Sequence, residues 1–285
     1  MNVKLAVVGA GTMGAGLVQL FAQSSAVDLV AWKVSSLEKG ERAQRSVKKR
    51  WESLLEKGKI SRSDLSVFQD KVKITVDYRD LGNSDLVVEA VAEQMAVKRI
   101  VFKEISDSTH ERTILASNTS SLSITEIASV TKNPANVIGL HFFNPAPVMA
   151  LTEIVSGILT SEETRQFAYD FSVSLGKKPV FVNEAPGFVV NRMLIPMINE
   201  AIGVLAEGVA SAEDIDAAMC NGANHPIGPL ALADLIGNDV CLSIMEVLHT
   251  ETGDPKYRAH PLLRKMVRGG LLGRKTRQGF YAYPA

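Results

Sequence analysis

Cysteine is almost missing from this 285-residue chain: there are two, Cys220 and Cys241. Both lie in apolar, helical text without metal-ligand spacing. That excludes a disulfide-stapled scaffold and a cysteine metal centre, and predicts two reduced thiols in the core. Net charge is missing too, since 31 basic side chains meet 31 acidic ones. No global field draws nucleic acid or an anionic membrane, so an anionic ligand must be held by local groups. No apolar run approaches the roughly 20 residues of a membrane span. The text enters a strand at once, leaving no signal or transit peptide, and the expected location is the cytoplasm. There is no internal repeat and no low-complexity tract.

What is present is ordinary globular material, 46% hydrophobic and 22% charged, in a chain long enough for two domains. Val3 to Val8 reads as a buried parallel strand. Residues 12–23 have helical spacing, Leu29 to Trp32 reads as a second strand, and the charged segment 36–58 as a long helix. Strands at 71–76 and 86–88, a helix at 95–107 and a strand at 113–116 follow. Ser123 and Glu126 carry the capping-box pattern. Further strands are expected at 137–140, 151–155 and 179–182, with a helix at 162–175. Beyond Ala185-Pro186-Gly187 only helical periods remain: 187–207, 212–220, 229–251 and 261–268. The expected class is α/β: a Rossmann-like, doubly wound, mostly parallel sheet in residues 1–184, followed by an all-helical C-terminal domain in 185–285.

Gly9-Ala10-Gly11-Thr12-Met13-Gly14 fits G-x-G-x-x-G. It follows a strand and opens a helix, the context a dinucleotide site requires. Gly9 permits the tight turn, Gly11 lets the backbone approach a pyrophosphate, and Gly14 allows close helix–strand packing. The helix N-terminus, with Thr12 and Met13, offers N–H groups and a positive dipole end to phosphate. Such sites usually place an acid roughly 20 positions on, to bind the adenosine ribose. Here the second strand ends Trp32-Lys33-Val34-Ser35-Ser36. Lys33 stands where Asp or Glu is expected, and Asp28 lies about 15 Å too early at roughly 3.3 Å per residue. A cation with hydroxyl neighbours suits a 2′-phosphate, with Trp32 placed along the adenine. NADP(H) is therefore the expected cofactor, with NAD(H) the alternative if Lys33 is only a solvated surface lysine.

His141-Phe142-Phe143-Asn144-Pro145-Ala146-Pro147 follows a strand. Open α/β sheets bind ligands at the carboxyl ends of their strands, and a histidine there can move a proton near neutral pH. A structural histidine would also fit that place.

With this segment the chain resembles the short-chain L-3-hydroxyacyl-CoA dehydrogenases, especially the bacterial 3-hydroxybutyryl-CoA dehydrogenases. The matching stretches are VVGAGTMGAG (7–16), LVVEAVAE (86–93), ILASNTSSLSITEIA (114–128), IGLHFFNPAPVMAL (138–151), EAPGFVVNRMLIPMINEA (184–201), GANHPIGPLALADLIG (222–237) and LGRKTRQGFY (272–281). They are long, order-specific and span nearly the whole chain. The resemblance implies that His141 is the general acid/base, oriented by Glu153, and that Ser120 and Asn191 bind the substrate's oxygen atoms. It implies that Glu93, Lys98, Asn118, Asn144 and Lys275 line the cofactor site and that Lys57 contacts the CoA nucleotide. It also implies a helical domain that dimerises. Lys33 departs from the Asp that NAD-using members carry.

Each residue has a plainer role open to it. Ser120 and Asn191 could cap helices, Glu153 could be a sheet-edge charge, and the basic run around Lys48, Lys49 and Arg50 could be a solvated face. Two other functions stay open on the sequence: a hydroxy-acid dehydrogenase without CoA, and a nucleotide-binding protein that has lost catalysis.

Overall fold

The apolar run at the start forms strand β1 (Val3–Val8), buried at all but one position. It sits centrally because both neighbours are needed to cover it. In the computed structural model, which describes residues 2–284, the chain divides after Glu184 into two units.

The first unit adds β2 (Val27–Lys33), β3 (Val72–Thr75), β4 (Leu86–Glu89), β5 (Ile114–Ser117), β6 (Val137–Phe142), β7 (Leu151–Ser156) and β8 (Lys178–Asn183). Their order is β3-β2-β1-β4-β5-β6-β7-β8. Every pair is parallel except β6 with β7. The strand order reverses between β1 and β4, the switch point at which doubly wound sheets open a crevice. Helices α1 (Thr12–Gln23), α2 (Leu37–Glu56), α3 (Arg62–Lys71), α4 (Met95–Ser108), α5 (Ile124–Ala128) and α6 (Glu162–Ser174) connect the strands. One face is locked by Phe21 of α1, fully buried, with its ring 5.8 Å from Phe142 and 5.7 Å from Phe171.

Helix α3 goes beyond the elements expected from sequence. Its period is weak, but Ser61 and Asp64 close a full capping box. The box expected at Ser123 is only half built. Ser123 Oγ accepts from the Glu126 N–H and donates to Glu184, while Glu126 turns outward to Arg99. Strand β6 runs through Phe142, so His141 lies inside it rather than after it.

The second unit contains α7 (Val190–Ala206), α8 (Ala212–Gly222), α9 (Pro229–Ile236), α10 (Asn238–Thr252) and α11 (Pro261–Arg268). The single helix expected over 229–251 is broken at Gly237, whose φ of 108° ends α9 and starts α10. Asp234, 1% exposed, ties the C-terminal segment to this bundle. It accepts from the Phe280 and Tyr281 N–H groups, from Tyr283 Oη and from Asn238 Nδ2. Both cysteines are free. Cys241 is a core thiol that burial pushes up to about 12, whereas Cys220 is only half-buried.

Candidate active site

The glycine turn is built as its residue types require. Gly9 adopts φ 121°, and a Cβ there would lie 2.4 Å from the Ala90 carbonyl oxygen. A Cβ on Gly14 would come within 2.2 Å of the Gly9 carbonyl oxygen, so α1 can leave the turn this closely only without one. A Cβ on Gly11 would meet nothing within 4 Å. That open face is where a pyrophosphate can approach the backbone. Gly11 caps α1 without a side-chain hydrogen bond, and no acid stands in the first turn. The N–H groups of Thr12 and Met13 are thus offered to an anion. The turn fits a dinucleotide.

The end of β2 differs from expectation. Trp32 is fully buried and its Nε1–H donates to the Gly9 carbonyl at 2.8 Å, so it braces the turn from inside and is no adenine platform. Lys33 is no solvated lysine, being 8% exposed. Its Nζ donates to the Val34 carbonyl at 3.1 Å and sits 4.1 Å from the centroid of the Tyr78 ring. Burial pushes its pKa down, and the nearby carboxylates of Asp77 and Glu104 offset part of that. Ser36 caps α2 by accepting from the Lys39 N–H.

At the carboxyl ends of β4 and β5 the side chains form one connected cluster. Lys98, 1% exposed, donates to both oxygens of Glu89 at 2.8 and 2.9 Å and reaches Glu93 at 3.2 Å. Glu93 Oε1 accepts from Thr119 Oγ1 at 2.6 Å, the Ser120 N–H at 2.8 Å and Ser120 Oγ at 3.3 Å. Partial burial pushes the Glu93 carboxyl up, but the Lys98 ammonium and these hydrogen bonds outweigh it and hold the group below its usual range. Asn118 Oδ1 accepts from the Phe142 N–H, fastening the serine-rich loop beside His141. Ser120 therefore sits in a loop held by Glu93 and by the Phe142 N–H, and does not cap α5, whose cap is Ser123.

His141 and Glu153 face each other across the antiparallel pair β6–β7, in direct register. His141 Nδ1 lies 2.7 Å from Glu153 Oε2; His141 is 6% exposed and Glu153 fully buried. Against an ionised Glu153, which only accepts, Nδ1 is the donor in this contact. The Phe143 ring lies 4.4 Å from the imidazole, centroid to centroid. Glu153 is no edge charge, since β8 covers the far side of β7. Asn144 is exposed just beyond β6, and Lys57 is exposed at the end of α2.

In the helical unit, Asn191 lies in the first turn of α7, after Gly187 (φ 72°) and Phe188 (φ 52°). Val189 holds the cap position, so Asn191 is not the cap. Lys275 pairs with Asp239 at the start of α10.

Sequence reading passed over Glu89, Ser117, Thr119 and Glu184. Glu89 had a visible signal, a lone acid ending the apolar run LVVE. Glu184 had none: its carboxylate accepts from Ser123, from Thr125 Oγ1 and from the Thr125 N–H, partners about 60 residues away. Among the described residues, no group of His, Cys, Asp and Glu is arranged to hold a metal ion.

A dinucleotide turn at a sheet's switch point, in the same sheet as a buried histidine–carboxylate pair, defines an α/β nicotinamide-dependent oxidoreductase. Family models carry this further: the 3-hydroxyacyl-CoA dehydrogenase NAD binding domain matches residues 4–185, and that family's C-terminal domain matches 187–283. The chain belongs to the 3-hydroxyacyl-CoA dehydrogenase family. It is 55% identical to a 3-hydroxybutyryl-CoA dehydrogenase of Clostridioides difficile over 98% of this chain and 99% of that one. It is 39% identical to the human mitochondrial hydroxyacyl-coenzyme A dehydrogenase over 97% of this chain and 90% of that one. The crystal structure of the (S)-3-hydroxybutyryl-CoA dehydrogenase of Ralstonia eutropha superposes with a TM-score of 0.96 at 46% identity, covering all of both chains.

Proposed function

We propose that the enzyme interconverts acetoacetyl-CoA and (S)-3-hydroxybutyryl-CoA with a nicotinamide dinucleotide as hydride carrier. The observation that carries this reading is the buried His141–Glu153 pair at the crevice side of the sheet. The cofactor, when bound, delivers or accepts the hydride. In reduction, His141 donates a proton to the substrate's 3-oxygen through Nε2, and in oxidation it takes that proton back. Glu153 fixes the tautomer and stabilises the imidazolium between these events, the task the buried carboxylate performs in a hydrolytic triad. Ser120, held by Glu93, offers its hydroxyl to the developing oxyanion, and Asn191 is assigned to the substrate's oxygen atoms as well. Gly9, Gly11, Thr12, Met13 and Gly14 hold the pyrophosphate; Glu93, Lys98, Asn118, Asn144 and Lys275 line the remainder of the cofactor site. Lys57 meets the CoA nucleotide.

For the cofactor's second phosphate the reading is narrower. The end of β2, Trp32-Lys33-Val34-Ser35-Ser36, itself supplies no carboxylate to accept from a ribose 2′-hydroxyl. Lys33 is the cation in place, and it must leave Tyr78 to reach a 2′-phosphate. We take NADP(H) as the preferred cofactor on that ground. The helical unit supplies the surface for a homodimer, with Met193 72% and Leu235 52% exposed. The test is a steady-state assay of acetoacetyl-CoA reduction with NADH and NADPH side by side. Saturable turnover of the thioester and none of free acetoacetate is expected; turnover of the free acid alone would overturn the substrate assignment.

A further inference from the structure

Glu89 has no part in the proton chemistry, yet it is as fully enclosed as Glu153. It ends β4 in register with Val8 of β1, at the switch point, and its exposure is zero. The next residue, Ala90, abuts Gly9 of the dinucleotide turn. Both Glu89 oxygens are saturated with donors: Lys98 Nζ on each, the Val91 N–H on one, and Ser117 Oγ at 2.7 Å on the other. Four hydrogen bonds from three donor groups converge on the two oxygens, a surrounding suited to an acceptor-only carboxylate. Glu93 is ionised as well, its pKa being depressed. One ammonium thus serves two carboxylates, and the cluster Glu89–Lys98–Glu93 carries a net charge of −1. The neighbouring cation does not cancel it, because Lys33 already lies among Asp77 and Glu104.

A buried ion pair alone would need only one acid. The second leaves a fixed negative charge at the strand ends, in a site of low dielectric where charge acts over several ångströms. The two forms of a nicotinamide cofactor differ in charge: the oxidised ring is a cation and the reduced ring is neutral. We propose that Glu89, through Lys98 and Glu93, is a positioning residue that holds Ser120 in place and sets a negative potential favouring the oxidised nicotinamide over the reduced one. This rests on the nicotinamide reading above and adds a redox preference of the binding site to it.

The experiment measures dissociation constants of NAD⁺, NADH, NADP⁺ and NADPH by calorimetry and cofactor fluorescence, without substrate. The proteins are wild type, Glu89→Gln, Glu93→Gln and Ser117→Ala. Removing one charge in either glutamate variant is expected to weaken the oxidised form about 3- to 10-fold more than the reduced form, for whichever dinucleotide binds. Ser117→Ala breaks a hydrogen bond to Glu89 without changing charge, so its ratio should match wild type while its melting temperature falls. Should Glu89→Gln fail to fold, the partly exposed Glu93 carries the same charge test. Equal weakening of both forms in the glutamate variants, or an altered ratio in Ser117→Ala, overturns the inference. Failure of wild type to bind any of the four cofactors overturns the nicotinamide reading instead.

Discussion

At the scale of single residues, two side chains test the proposed proton chemistry and one tests the cofactor. His141→Gln is expected to lower turnover of acetoacetyl-CoA at least about 100-fold, within the range general acid–base catalysis contributes, with cofactor affinity nearly unchanged. Turnover within a few-fold of wild type would remove His141 from the mechanism. Glu153→Gln should cost at least about 10-fold, because an amide can present either a donor or an acceptor to Nδ1 and no longer enforces one tautomer. Lys33 is read by the ratio of kcat/KM for NADPH to that for NADH. Lys33→Asp should lower this ratio about 10-fold or more, the worth of one hydrogen bond to a charged group. A constant ratio would mean that the ammonium stays on Tyr78 and takes no part in selection.

Between elements, the decisive links are carboxylates that join loops distant in sequence. Glu184 binds the end of β8 to the start of α5, and Asp234 binds α9 to the C-terminal segment. Glu93 joins the loop before α4 to the loop after β5, and its titration gives this link a pH signature. Its folded pKa is depressed, so its contribution to stability is present above the unfolded value near pH 4.3 and is lost as pH falls through the folded value. Glu93→Gln should therefore melt below wild type at neutral pH, and the two melting temperatures should converge in acid. A gap that persists in acid would show that Glu93 acts through packing and not through charge. The other element-level lesson is Gly237. Helical periods on both sides of it read as one helix, because the period says which face is apolar and not whether the axis continues.

For the molecule as a whole, the helical unit leaves Met193, Val209 and Leu235 more than half exposed, more than one small bundle needs at its surface. Light scattering at micromolar concentration is expected to give the mass of a dimer. A fully active monomer would contradict this. Among the described residues no helix is long and apolar enough to cross a membrane. The alternation of strands and helices and the glycine turn were legible in the sequence because each is local: a period, a spacing or a residue type with one steric use. The pairing of His141 with Glu153 was legible only through family resemblance. Nothing in 12 residues of spacing says that β7 turns back antiparallel and lays one side chain opposite the other. Trp32 was misread as an adenine platform, and the enclosure of Lys33 against Tyr78 was not foreseen, since residue type does not say which face of β2 points inward. The sequence by itself determined the order of elements and where the dinucleotide turn lies. The tertiary structure alone decided which charges are enclosed together, because burial and ion pairing depend on what other strands bring alongside.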